Sequence, residues 1–99
     1  MNITTTKDGT ALNVSLEGRL DTTTSPELIS RLEMELPGAQ QLVLDLKGLE
    51  YISSAGLRVL LTAQKKMSAL KGMLIRNVNA EVMEVFEVTG FVDILNIEG

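Results

Sequence analysis

The stretch Tyr51-Ile52-Ser53-Ser54-Ala55-Gly56-Leu57-Arg58-Val59-Leu60 decides how this chain is read. A strand-like apolar approach ends in two adjacent hydroxyls, and beyond them apolar residues recur at helical spacing. A helix start leaves backbone N–H groups without intrahelical partners and carries a partial positive charge. A serine placed there either caps the helix or bears a phosphate that those groups tolerate. Both roles suit Ser54, and serine is among the best capping residues.

Working outward, Ala55 to Leu70 reads as the second helix, with Gly56, Leu60, Ala63, Met67 and Leu70 on one side and Arg58, Thr62, Lys65 and Lys66 on another. Upstream, Lys47-Gly48-Leu49-Glu50 reads as a turn after Leu42-Val43-Leu44-Asp45-Leu46. That near-continuous apolar run is expected as a central parallel strand covered on both faces. Asp45, at its end, stands where α/β folds often place functional groups. Ile3 to Thr6 and Leu12-Val14-Leu16, joined by Lys7-Asp8-Gly9, predict a hairpin whose first strand is a polar edge.

Gly18 to Glu27 reads as a loop into a first helix over residues 25 to 36, with Ser25 as cap, Pro26 in first position and Thr24 and Glu27 as an alternative capping box. Leu28, Ile29, Leu32 and Leu36 form its buried stripe, and Pro37-Gly38 ends it. After Gly72, Met73-Leu74-Ile75 makes a short strand. Asn79 then caps a third helix with Val82, Val85 and Phe86 inward, Gly90 closes it, and Phe91 packs back on it. Ile94 to Ile97 adds a last edge strand. The order β-β-α-β-α-β-α-β predicts an α/β fold: a small mixed sheet of four to five strands with helices packed on it, as one domain over residues 1–99.

At 99 residues and 44% hydrophobic content the chain has the makings of one core, and its apolar runs are too short to span a bilayer. The N-terminal region lacks a basic start followed by an apolar block, so a cytoplasmic protein is expected. No cysteine means no disulfide or thiolate chemistry, and no histidine excludes Ser-His-Asp hydrolysis and weighs against a metal site. A net charge of −4 with three aromatic residues in all, one tyrosine and two phenylalanines, argues against a nucleic-acid surface. A protein-binding module without cofactor, rather than an enzyme, is the expectation.

Three segments carry a resemblance to a known family: Gly18-Arg19-Leu20-Asp21-Thr22; Leu44-Asp45 followed by Tyr51 to Leu57; and Phe86-Glu87-Val88-Thr89-Gly90-Phe91. Together with the order of elements they resemble the STAS domain of bacterial anti-sigma factor antagonists over essentially the whole chain. The resemblance implies that unphosphorylated antagonist binds a serine kinase that is also the anti-sigma factor. Phosphorylation of one serine then ends the binding, and a phosphatase resets it. By position that serine is Ser54, with Ser53 as the second acceptor. Ser53 departs from the pattern, standing where the family usually has Asp, and Ala55 stands where a second hydroxyl is common. The implied partner surface comprises Asp21, Thr22, Thr23, Ser53, Ser54, Gly56 and Leu57, with Asp21 repelling an added phosphate.

Two other readings compete. One is a STAS scaffold subunit, in a lipid-transport or signalling complex, whose Ser54 is never modified. The other is a weak nucleotide-binding protein holding phosphate at the second helix start, although it lacks a Gly-rich loop with its lysine.

Overall fold

The computed structural model describes residues 1–98; residue 99 of the expected domain lies outside the described residues. Five strands form one sheet in sequence order, β1 (Asn2–Asp8), β2 (Ala11–Leu20), β3 (Gln41–Ile52), β4 (Met73–Arg76) and β5 (Asn96–Ile97). Three helices intervene: α1 (Ser25–Glu35), α2 (Ser54–Met67) and α3 (Ala80–Thr89), the last followed by a 3-10 turn at Phe91–Asp93. β1 and β2 are antiparallel and every later pairing is parallel, so the sheet is mixed as expected. Asp8 pairs with Ala11, which leaves a tight turn at Gly9 and Thr10, one residue later than the sequence pattern placed it. Gly9, at φ +62°, supplies the left-handed residue that this turn requires.

Both central strands run longer than their apolar patterns. Lys47-Gly48-Leu49-Glu50 is strand rather than turn, and Gly18-Arg19-Leu20 completes β2 rather than opening a loop. The register explains why. Ser15 pairs with Asp45 but Glu17 with Gly48, and Gly18 pairs with Leu49 but Arg19 with Tyr51, so β3 carries an extra residue at each of two irregularities. Each extra residue resets the alternation of faces. The buried positions on β3 therefore run Leu42, Leu44, Leu46, then Leu49 and Ile52. Gly48 sits at the first irregularity, where a Cβ would lie 2.6 Å from Glu17 Cγ and 3.2 Å from the Leu16 carbonyl oxygen.

The helices cover one face of the sheet. Leu12, Val14, Leu16, Leu42, Leu44, Leu46, Met73 and Ile75 point into a single core with Leu28, Leu60, Met67, Val82 and Phe86. Each such side chain, fully removed from water, contributes about 1.5–3 kcal/mol. The other face, with Asn13, Ser15, Val43, Asp45, Leu74 and Arg76, remains half-buried to exposed, which corrects the expectation that β3 is covered on both sides. α1 is tied to the edge strand where the Thr5 hydroxyl donates to the Glu35 carboxylate at 2.8 Å, which also accepts from Arg31 Nε at 2.7 Å. These contacts hold the Glu35 carboxyl below its ordinary range, the Thr5 hydrogen bond first.

Several helix details differ from the sequence expectation. α2 ends at Met67, so Leu70 lies beyond it and is exposed. Ile29 of α1 is also exposed and Leu36 is half-buried, so that Leu28 and Leu32 alone carry the buried stripe of α1 into the core. Asn79 and Gly90 bound α3 as expected: Asn79 Oδ1 accepts from Val82 N at 2.8 Å, and Gly90 adopts φ +80°. The last strand is confined to Asn96–Ile97, and Ile94 is exposed.

Candidate functional site

The site forms because β2 and β3 are neighbouring parallel strands that end together. Leu20 pairs with Ile52, and one residue later Ser53 N donates to the Leu20 carbonyl at 2.9 Å. The chain leaves both strands at the same end of the sheet, the end at which α/β folds gather functional loops. The Asp21–Thr24 loop therefore lies beside the start of α2, as the family resemblance implied.

The loop is locked by its own side chains. Asp21 Oδ1 accepts from Thr23 N at 3.0 Å and Thr24 N at 3.1 Å, while the Thr24 hydroxyl accepts from Asp21 N at 2.9 Å and donates to the Arg19 carbonyl at 2.7 Å. These hydrogen bonds hold the Asp21 carboxyl below the ordinary aspartate range, the Thr24 backbone N–H first, with the Arg19 guanidinium 3.9 Å away adding to the effect. Arg19 also lies over the Tyr51 ring, 4.2 Å from its centroid, which ties the end of β2 to the end of β3. Thr22 and Thr23 are exposed at the loop tip.

At the start of α2 the two serines divide the roles that the sequence left with one. Ser53 is the cap: its backbone is extended and its Oγ accepts from Gly56 N at 3.4 Å. Ser54, the first helical residue, is exposed and takes no part in that cap, so the capping role considered for it belongs to Ser53. Gly56 and Leu57 lie below the surface. A Cβ on Gly56 would stand 2.8 Å from both Ile52 Cγ1 and Leu20 Cγ, so glycine lets α2 settle on the ends of the two strands. Leu57 is 6% exposed and joins the core. Of the expected surface residues, the structure gathers Asp21, Thr22, Thr23, Ser53 and Ser54 at one rim and sets Gly56 and Leu57 beneath it.

The α1 start overturns the cap expected there. Thr24 occupies the cap position without a side-chain bond to the helix, since its hydroxyl is engaged in the loop, and the capping box with Glu27 does not form. Ser25 is instead the first helical residue, 4% exposed, with an unpartnered Oγ. It borders a groove of about 340 Å³ between α1 and α2, lined also by Ile29, Leu32, Val59, Arg58 and Lys66. No apolar pattern announces this groove, because it depends on how two helices diverge. Asp45 proves to lie inside β3, where Oδ1 accepts from Lys47 N and Asn77 Nδ2, both at 3.0 Å, and so ties the middle of β3 to the end of β4. No helix among the described residues is long and apolar enough to cross a membrane.

A family model described as "Mlab, STAS domain" matches residues 3–96. BtrV of Bordetella bronchiseptica, named as a candidate anti-sigma factor antagonist, is 35% identical over 99 residues, spanning 98% of this chain and 85% of BtrV. An anti-sigma-B factor antagonist of Staphylococcus aureus is 29% identical over 99 residues, spanning 98% of this chain and 92% of its own. The fold is shared with the Bacillus cell fate determinant SpoIIAA solved in its phosphorylated form, with TM-score 0.75, 14% identity, and 99% and 92% of the two chains covered.

Proposed function

The chain belongs to the STAS domain family, and from that premise we propose that it is an anti-sigma factor antagonist working by a phosphorylation-controlled exchange of partners. Unphosphorylated, it binds a serine kinase that is also the anti-sigma factor, and so releases a sigma factor in the cytoplasm. Phosphorylation of Ser54 ends that binding, and a phosphatase restores it. Asp21, Thr22, Thr23, Ser53 and Ser54 form the contact rim, with Gly56 and Leu57 supporting it from below.

The observation that carries this reading is the division of labour at the α2 start: Ser53 caps the helix, leaving the exposed Ser54 hydroxyl free to react. A phosphate there adds a charge of about −1.5 to −2 and three acceptor oxygens. On the free domain it stands in water at the positive end of a helix, which the fold tolerates. Against a close-fitting partner, with Asp21 already supplying negative charge nearby, it creates repulsion and an unmet demand for solvation. The names of the relatives support the role, and the Bacillus neighbour supports a fold that persists with phosphate attached.

The test is incubation with the kinase that binds this chain and ATP, followed by mapping of the modified residue by mass spectrometry. One phosphate on Ser54 is expected. Ser54→Ala should keep its affinity for the partner, and Ser54→Asp should lose about thirtyfold, equivalent to roughly 2 kcal/mol. Phosphate confined to Ser53, or none, overturns the assignment to Ser54, and equal binding by the two variants favours the unmodified scaffold.

A further inference from the structure

Resting on the reading of Ser54 as the modified residue, we propose that Arg58 is the internal counter-ion of the phosphate, folding back along α2 to hold it. Residues 54 and 58 belong to one uninterrupted helix, four positions apart, and therefore neighbour each other on its surface. Helical side chains lean towards the N-terminus, so an arginine four residues downstream reaches over the serine rather than away from it. Its planar guanidinium matches the fork of two phosphate oxygens.

Arg58 is also available. It is exposed, and among the described residues the ion pairs engage Arg19, Arg31 and Arg76 but not Arg58. No acidic residue stands in the first turn of α2 to compete for it. From α1, Glu33 lines the same groove as Arg58 without an ion pair to it, and the other charged groups around the serine come from the neighbouring strand ends. Asp21 and Arg19 approach from β2 and its loop, Arg19 already shared between Asp21 and the Tyr51 ring, and Glu50 precedes Tyr51 on β3. Among the described residues, Arg58 is thus the one cation near Ser54 whose side chain is not already committed to another group at this rim. The modified domain then presents a phosphate with part of its charge cancelled from one side, fixed in direction rather than swinging freely. In this arrangement Arg58 is a positioning residue for the switch, and its reach sets which face of the phosphate a phosphatase meets.

The experiment uses the full chain with phosphoserine built into position 54 during synthesis, so that no kinase is required, and follows the phosphorus NMR signal against pH at low salt. Arg58 favours the dianion, so the second dissociation of the phosphate should be about two- to threefold stronger in the native chain than in Arg58→Gln. Arg58→Lys should restore most of the difference, and about 1 M salt should erase it. The helix amides are common to all variants and cancel. Coincident titrations for the native chain and Arg58→Gln, or a shift that follows Arg19→Gln instead, overturn the proposal. Either result leaves the kinase mapping of Ser54 untouched. Conversely, a kinase that modifies only Ser53 sinks the proposed function while leaving this titration standing.

Discussion

Two helices begin side by side at one end of the sheet, and each opens on a pair of hydroxyls, Thr24-Ser25 for α1 and Ser53-Ser54 for α2. In one-letter terms the two starts are close to interchangeable. In space they are opposites. Thr24 turns its hydroxyl back into the loop that precedes it, and Ser25 is driven under the surface with no partner for its oxygen. Ser53 turns its hydroxyl forward to the helix, and Ser54 is left in solvent. A hydroxyl at a helix start is therefore not enough for the switch proposed here. The preceding residue must take over the cap, and the hydroxyl itself must face outward.

The largest test of this contrast places a carboxylate at each first helical position. Ser25→Asp buries an unpaired charge and should lower unfolding free energy by about 3 kcal/mol in urea melts. Ser54→Asp should change it by no more than about 0.5 kcal/mol, with the sign favoured by the helix dipole. Equal losses would erase the distinction between the two starts. Gly56→Ala probes what sets α2 in place: its Cβ meets Ile52 and Leu20 at 2.8 Å, so a net loss of about 1–2 kcal/mol is expected despite alanine's better helix propensity. Ser53→Ala should cost about 1 kcal/mol by loss of the cap, whereas the same measurement on Ser54→Ala should show almost none. Ser25→Ala, which removes a buried oxygen without a partner, should be neutral or stabilising by up to about 1 kcal/mol.

The gentlest probe is pH. Because the folded-state Asp21 carboxyl is held below its ordinary value, the loop's contribution is complete above the ordinary aspartate range and is lost as pH falls through the lowered midpoint. A carboxyl NMR titration should show Thr24→Val moving the Asp21 midpoint upward, since it deletes the hydroxyl that braces the loop.

The elements that the sequence announced are those whose signals are local. Asn79 and Gly90 bound α3 because a side-chain cap and a left-handed closing residue act within a few positions. The order of strands and helices followed from periodicity in the same way. What stayed hidden depends on neighbours. Two extra residues in β3 break its alternation, so Lys47 to Glu50 resembles a turn although it continues pairing with β2. Leucines at every other position of β3 and an intervening Val43 gave the look of a strand covered on both sides, yet the helices cover only one. At the site, the neighbouring placement of the Asp21 loop and the α2 start follows from the pairing of Leu20 with Ile52, whereas the roles proposed for Asp21 and Ser54 rest on the family resemblance. Which of the two serines caps, and which hydroxyl of α1 is buried, is decided by backbone direction at each strand end and by what the neighbouring helix leaves uncovered.

Since β2 and β3 are parallel, residues 21–40 carry the chain from Leu20 back to Gln41 at the opposite end of the sheet, and only then do Leu20 and Ile52 finish together. Lengthening that crossover at the exposed Pro37-Gly38 corner should leave the Asp21 loop and the α2 start where they are. The rim is thus a property of sheet adjacency rather than of the length of chain between its two halves, and an insertion at that corner should leave it intact.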